Sequence, residues 1–128
     1  MNKFSSRSTK NLHSCHDKLK YLFDNVIERF DCTILEGHRT PEDQIRMFMD
    51  GKSKVRHGKH NFTPSRAVDA APYPIQWNNL ERFYLFGGFV MGVAAQLGVK
   101  IRWGGDWDGD KDTKDQSFND LVHFELID

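Results

Sequence analysis

Six histidines (His13, His16, His38, His57, His60 and His123) offer the most versatile side chains in this chain, able to serve as metal ligands or acid–base groups. Setting separates two of them from the rest. The run Ser65-Arg66-Ala67-Val68-Asp69-Ala70-Ala71-Pro72 puts one carboxylate, Asp69, in mid-strand among small residues. A buried carboxylate is costly unless it is paired or metal-bound, and small neighbours leave room for a group to approach it. Near the C-terminal end, Val122, Phe124 and Leu126 alternate with Leu121, His123, Glu125 and Ile127. The first set reads as a core face, so His123 and Glu125 look out from the other face into a site. Together with His60, two imidazoles and a carboxylate make a common catalytic zinc set, with the fourth position left to water. Spacing alone is a weak signal here, because His60, Asp69 and His123 are spread over half the chain.

These side chains need elements to carry them. Apolar residues from Leu12 to Phe30 recur at steps of three and four, which predicts one amphipathic helix. Cys32-Thr33-Ile34-Leu35 reads as a strand running into Glu36-Gly37-His38-Arg39. Thr40 is placed to N-cap a second helix with Pro41 in its first turn and Asp43 closing a capping box; Ile45, Phe48 and Met49 would be its buried stripe, and Gly51 its C-cap. Lys52 to Arg66 is basic and irregular, a loop with a role or merely a mobile one. Arg66 to Ala71 predicts a strand, Asn78 to Leu97 a long apolar helix ended by Gly98, Val99 to Trp103 a strand, and Leu121 to Ile127 a closing strand. The expected architecture is one α+β domain over residues 1–128, with helices packed on a small antiparallel sheet.

Composition bounds the function classes. The chain has 128 residues with 18 Lys+Arg and 18 Asp+Glu, so it carries no net charge. That balance argues against broad binding to nucleic acid or to anionic membrane. No apolar run approaches the roughly 20 residues that span a bilayer, and the first residues turn polar without a signal-peptide core. Cytoplasmic synthesis of a monomer is the expectation. Two cysteines, Cys15 and Cys32, make no disulfide framework and are expected to be inert.

Three separated blocks occur in order: Gly37-His38-Arg39-Thr40-Pro41-Glu42-Asp43-Gln44, His60 through Ala67-Val68-Asp69, and Asp120-Leu121-Val122-His123-Phe124-Glu125. In them the chain resembles the zinc D-alanyl-D-alanine carboxypeptidase and L-alanyl-D-glutamate endopeptidase family, above all its small single-domain phage endolysins. That family shares its fold with the hedgehog signalling domain and the VanX and VanY resistance enzymes. The resemblance implies His60, Asp69 and His123 as zinc ligands, Asp120 as the catalytic carboxylate and Arg39 as a substrate-binding group. The first ligand pair is His-x8-Asp here against the family's His-x6-Asp, and Gly58-Lys59 precedes His60 in place of Ser-x; His57 is the substitute ligand to weigh. Strand alternation favours Glu125 as the base, whereas the family pattern puts it three residues before the histidine, at Asp120; Ser117-Phe118-Asn119-Asp120 reads as a turn that frees Asp120 from alternation. Gln44 is expected to support or to sit on a helix surface.

The implied reaction is zinc-dependent hydrolysis of the peptidoglycan stem peptide, at the L-Ala–D-Glu bond, by an endolysin that reaches the wall through a separate pore. The alternatives are a D-Ala-D-Ala carboxypeptidase and a non-catalytic zinc-stabilised module that binds wall peptide or a protein. Acids alternate from Asp106 to Asp112 like the start of a calcium loop, but the twelfth position is Ser117 instead of glutamate. The loop is therefore either a calcium site, a substrate lip or simply solvated. Trp103 and Trp107 offer either a cleft wall or core packing.

Overall fold

The computed structural model describes residues 2–114 and 119–127. Helices α1 (Ser6–His13) and α2 (Asp17–Ile27) come first, followed by strand β1 (Cys32–Glu36) and helix α3 (Pro41–Met49). A short 3-10 turn (Lys59–Asn61), β2 (Ala67–Pro72), α4 (Leu80–Leu97), β3 (Ile101–Gly104) and β4 (Asp120–Leu126) complete the order. The strands form one antiparallel sheet in the order β1-β2-β4-β3, so the α+β expectation holds. The turn expected over Ser117-Phe118-Asn119 has its first two residues outside the described segments.

The single long first helix is instead two. Ser14 caps α1, and His16 begins α2 by accepting a hydrogen bond from the Lys18 amide at its ring Nδ1. Between them the chain turns aside to meet Ser65: the His16 amide donates to the Ser65 carbonyl and the Ser65 amide to that of Ser14. Tertiary hydrogen bonding thus interrupts a helix that periodicity would have continued, and it anchors the loop leading into β2. In α3, Thr40 accepts from the Asp43 amide as expected, and Gly51 follows the C-cap with a positive φ of 75°. The buried stripe does not materialise. Ile45 and Met49 are exposed, and Gln44 is the buried residue, because α3 lies over a polar site and not over the core.

One face of the sheet carries the core. Ile34, Val68, Ala70, Phe124 and Leu126 pack there with Leu19, Leu22, Phe23 and Val26 of α2 and Phe86 and Val90 of α4. Phe124 meets Phe23 and Phe86 edge-on and stacks on Trp103 at 6.4 Å, so Trp103 belongs to this core. Alternation sends Asp69 and His123, each neighbour to a core residue, to the opposite face. Two register shifts then tune that face. Ile34 pairs with Ala70 but Glu36 with Asp69, and Trp103 pairs with Phe124 but Gly104 with Asp120. Because Asp69 also pairs with His123, Glu36, Asp69 and His123 form one row across three strands. Gly104 is needed at the second shift, since a Cβ there would lie 2.0 Å from the Asp120 carbonyl oxygen. Among the described residues no helix is long and apolar enough to cross a membrane.

Candidate metal centre

His60, Asp69 and His123 come together on this polar face, each offering one ligand atom within 4.8 Å of the others. Asp69 is delivered by β2, and His123 by its cross-strand partner position on β4. His60 arrives on the 3-10 turn, which is tied to the end of β1 by the Arg39 amide donating to the His60 carbonyl at 2.8 Å. His57 packs edge-on against Phe62 and is not in the group.

The outer hydrogen bonds decide which ring nitrogens face inward. His60 Nδ1 lies 2.6 Å from the Gly37 carbonyl oxygen, which can only accept, so this nitrogen carries the hydrogen and Nε2 faces Asp69 Oδ1 at 3.1 Å. His123 Nε2 donates to Glu125 Oε1 at 2.8 Å, leaving Nδ1 to face the same Asp69 oxygen at 3.2 Å. Two ring nitrogens and one carboxylate oxygen thus converge on a small volume that calls for a cation. Carbonyl or carboxylate partners on the far ring nitrogen are the usual way a protein fixes metal-binding imidazoles. Tetrahedral zinc with bonds of about 2.0–2.1 Å needs donors roughly 3.3 Å apart, close to the 3.1 and 3.2 Å that separate each ring nitrogen from Asp69 Oδ1. Gly37 must be glycine for this to work: a Cβ would sit 2.2 Å from the Asn11 carbonyl oxygen.

The electrostatics match. Burial would raise the Asp69 carboxyl, but the adjacent His123 and His60 rings hold it well below the usual carboxylate range. Burial opposes charge on His123 too, yet bonds to Asp69 and Glu125 push it up to about 9. Glu125 is pulled down overall, its burial outweighed by His123, Lys59 and Arg102. Asp120 behaves differently: burial and then the Asp69 charge raise it.

Asp120 lines the same cleft, of about 440 Å³, with Arg39, Gln44, Trp107, His123, Glu125 and residues 52–55, 58 and 59. Trp107 tilts against the His123 ring at 5.6 Å. Arg39 is 8% exposed and largely occupied: it donates from Nε and Nη2 to Glu36 Oε1 and from Nη1 to Gln44 Oε1 at 2.7 Å, with Asp69 Oδ2 at 3.9 Å. Burial would lower its pKa, but Glu36, Asp69 and Asp120 raise it overall. His38 contacts Thr63 Oγ1 at 3.3 Å, away from the cluster.

Sequence reasoning missed Glu36 and left Gln44 between two roles. Glu36, three residues before Arg39, completes the row with Asp69. Gln44, expected either to support or to sit on the helix surface, proves to be the buried support, accepting from Arg39 and donating to Ser53 and Val55.

Residues 1–127 match the family model described as phage L-alanyl-D-glutamate peptidase. The chain belongs to that family. An L-alanyl-D-glutamate peptidase of Escherichia phage T5 is 30% identical over 134 residues, spanning 98% of each chain. The fold matches that of the Serratia marcescens L-Ala D-Glu endopeptidase ChiX with a TM-score of 0.76, at 23% identity, over 98% of this chain and 91% of that one. As a member of the L-alanyl-D-glutamate peptidase family, the chain is a peptidase of the class its three sequence blocks implied.

A second acidic group lies apart from this centre. Asp106, Asp108 and Asp110 also offer carboxylate oxygens within 4.8 Å of one another. Asp106 is buried; its Oδ2 accepts from the Lys111 amide at 2.9 Å, while Oδ1 has no hydrogen-bond partner among the described residues.

Proposed function

We propose that this protein is a zinc-dependent endolysin that hydrolyses the L-Ala–D-Glu bond of the peptidoglycan stem, with residues 1–128 acting as one catalytic domain. The observation that carries the reading is the convergence of His60 Nε2, His123 Nδ1 and Asp69 Oδ1, each imidazole fixed from behind by an acceptor. His60, Asp69 and His123 would hold the ion. When bound, zinc supplies a Lewis acid for the scissile carbonyl and lowers the pKa of water at neutral pH. Asp120, raised by burial and by Asp69, suits a group that takes a proton from water and delivers it to the departing amine. Glu125, engaged with His123, orients the ring. Arg39, held by Glu36 and Gln44, presents positive charge where the carbonyl oxygen gains negative charge.

The family and the phage T5 relative support the choice of bond. Digesting purified peptidoglycan and sequencing the newly exposed amino termini by mass spectrometry tests it: new termini on glutamate are expected. Release of free D-alanine alone would assign a carboxypeptidase instead. Tight zinc binding with no new termini would assign a binding module. We propose further that the protein is a monomer made in the host cytoplasm, crossing to the wall through a separate pore.

We infer a calcium ion at the Asp106–Asp112 loop, where buried Asp106, whose Oδ1 finds no hydrogen-bond partner among the described residues, lies with Asp108 and Asp110. Calcium in excess should raise the melting temperature of wild type and leave Asp106→Asn unmoved; equal responses would remove the site.

A further inference from the structure

The basic segment Lys52-Ser53-Lys54-Val55-Arg56-His57-Gly58-Lys59 has no place in the reaction as described so far. It is a local excess in a neutral chain: no acidic residue occurs between Asp50 and Asp69. The structure makes it a wall of the catalytic cleft, lined by Lys52, Ser53, Lys54, Val55, Gly58 and Lys59 and facing Asp120 and the metal cluster.

That wall is built and held. The Lys52 and Ser53 amides both donate to the Met47 carbonyl at the end of α3, at 2.8 and 3.2 Å. Gln44, 1% exposed, donates from Nε2 to Ser53 Oγ at 2.8 Å and to the Val55 carbonyl at 2.7 Å. The same side chain accepts from Arg39, so the loop and the site arginine share one buried clamp. Arg56 lies over the Phe48 ring at 5.0 Å, and Lys59 Nζ donates to the Leu126 carbonyl. Main chain and Gln44 fix the loop, and the exposed lysines Lys52 and Lys54 stand at the cleft.

We propose that this loop is the specificity wall of the cleft, binding through Lys52, Lys54 and Lys59 the free carboxylate of the glutamate on the leaving-group side of the scissile bond. This rests on the L-Ala–D-Glu reading. In such a substrate the alanine side offers only a methyl group, whereas the glutamate, joined onward through its side chain, keeps a free α-carboxylate two bonds from the scissile nitrogen. A cluster of cations along one side of the cleft is complementary to that end of the substrate and not to the other. The stem therefore runs with its acidic half along residues 52–59.

Two synthetic stem peptides that differ only at the D-glutamate α-carboxyl, free in one and an amide in the other, test this. The kcat/KM ratio of acid to amide, measured on one enzyme preparation, cancels differences in metal content and folding. Wild type should prefer the acid by roughly fivefold, the scale of a partly exposed ion pair, and added salt should shrink that preference. The Lys52→Gln/Lys54→Gln double variant should lower the ratio toward one, leaving only what Lys59 supplies; Lys59→Gln is measured separately because Lys59 also holds the Leu126 carbonyl. Equal cutting of both peptides by wild type, or an undiminished ratio in the double variant, overturns the wall and leaves the bond assignment standing. Cutting of neither peptide overturns the bond assignment, and the wall with it.

Discussion

His123 is gripped at both ring nitrogens by carboxylates, and the difference between its two partners separates their roles. Asp69 shares its oxygen with His60, whereas Glu125 touches only the outer nitrogen of His123 and lies 3.9 Å from Lys59. Asp120 is not among the three clustered donors and lines the cleft beside them. Asp120→Asn should therefore retain metal and fold while losing about two to four orders of magnitude in rate, the usual worth of a positioned acid–base group. Glu125→Gln should weaken metal affinity by roughly 10- to 100-fold, as loss of an outer hydrogen bond does, and recover activity in excess zinc. Rates measured across a zinc titration separate the two outcomes. The competing claims of Asp120 and Glu125 could not be resolved from alternation, because the register shift at Gly104 that brings Asp120 alongside the cleft leaves no mark in spacing. The cysteines were easier to read. Burial pushes both thiols up to about 12, leaving the reactive thiolate scarce at neutral pH, so thiol reagents should label Cys15 and Cys32 only on unfolding.

At the scale of elements, the strands and the long α4 were legible because their patterns are local: β-branched runs, a capped and glycine-terminated helix, an alternating last strand. The break between α1 and α2 was not, since it depends on hydrogen bonds with Ser65, some fifty residues away. The same holds for α3. Its polar inner face makes sense only once Gln44 is seen bridging Arg39, Ser53 and Val55. Truncating that side chain strands a buried guanidinium donor and a carbonyl. Gln44→Ala should cost about 1–3 kcal/mol in chemical denaturation, the penalty for buried groups left unpaired. Gln44→Glu, which keeps an acceptor for Arg39 but cannot donate to Val55, should recover part of it.

Across the whole molecule, one sheet divides two kinds of chemistry. The face under α2 and α4 is apolar and edge-packed around Phe124, and it supplies the rigidity that the opposite face requires. On that opposite face the strands place Glu36, Asp69 and His123 in a row and the intervening loops bring His60 and the basic wall to it. Metal binding and folding are then coupled, because the donors meet only in the folded chain. Saturating zinc should raise the melting temperature, and chelation should lower it reversibly. The measurement that bears most directly on the metal centre is zinc content per chain across ligand variants, with folding checked by circular dichroism. Wild type and His57→Ala should each hold about one zinc, while folded His60→Ala and His123→Ala hold almost none; full zinc in those two variants, or its loss in His57→Ala alone, would contradict the assignment.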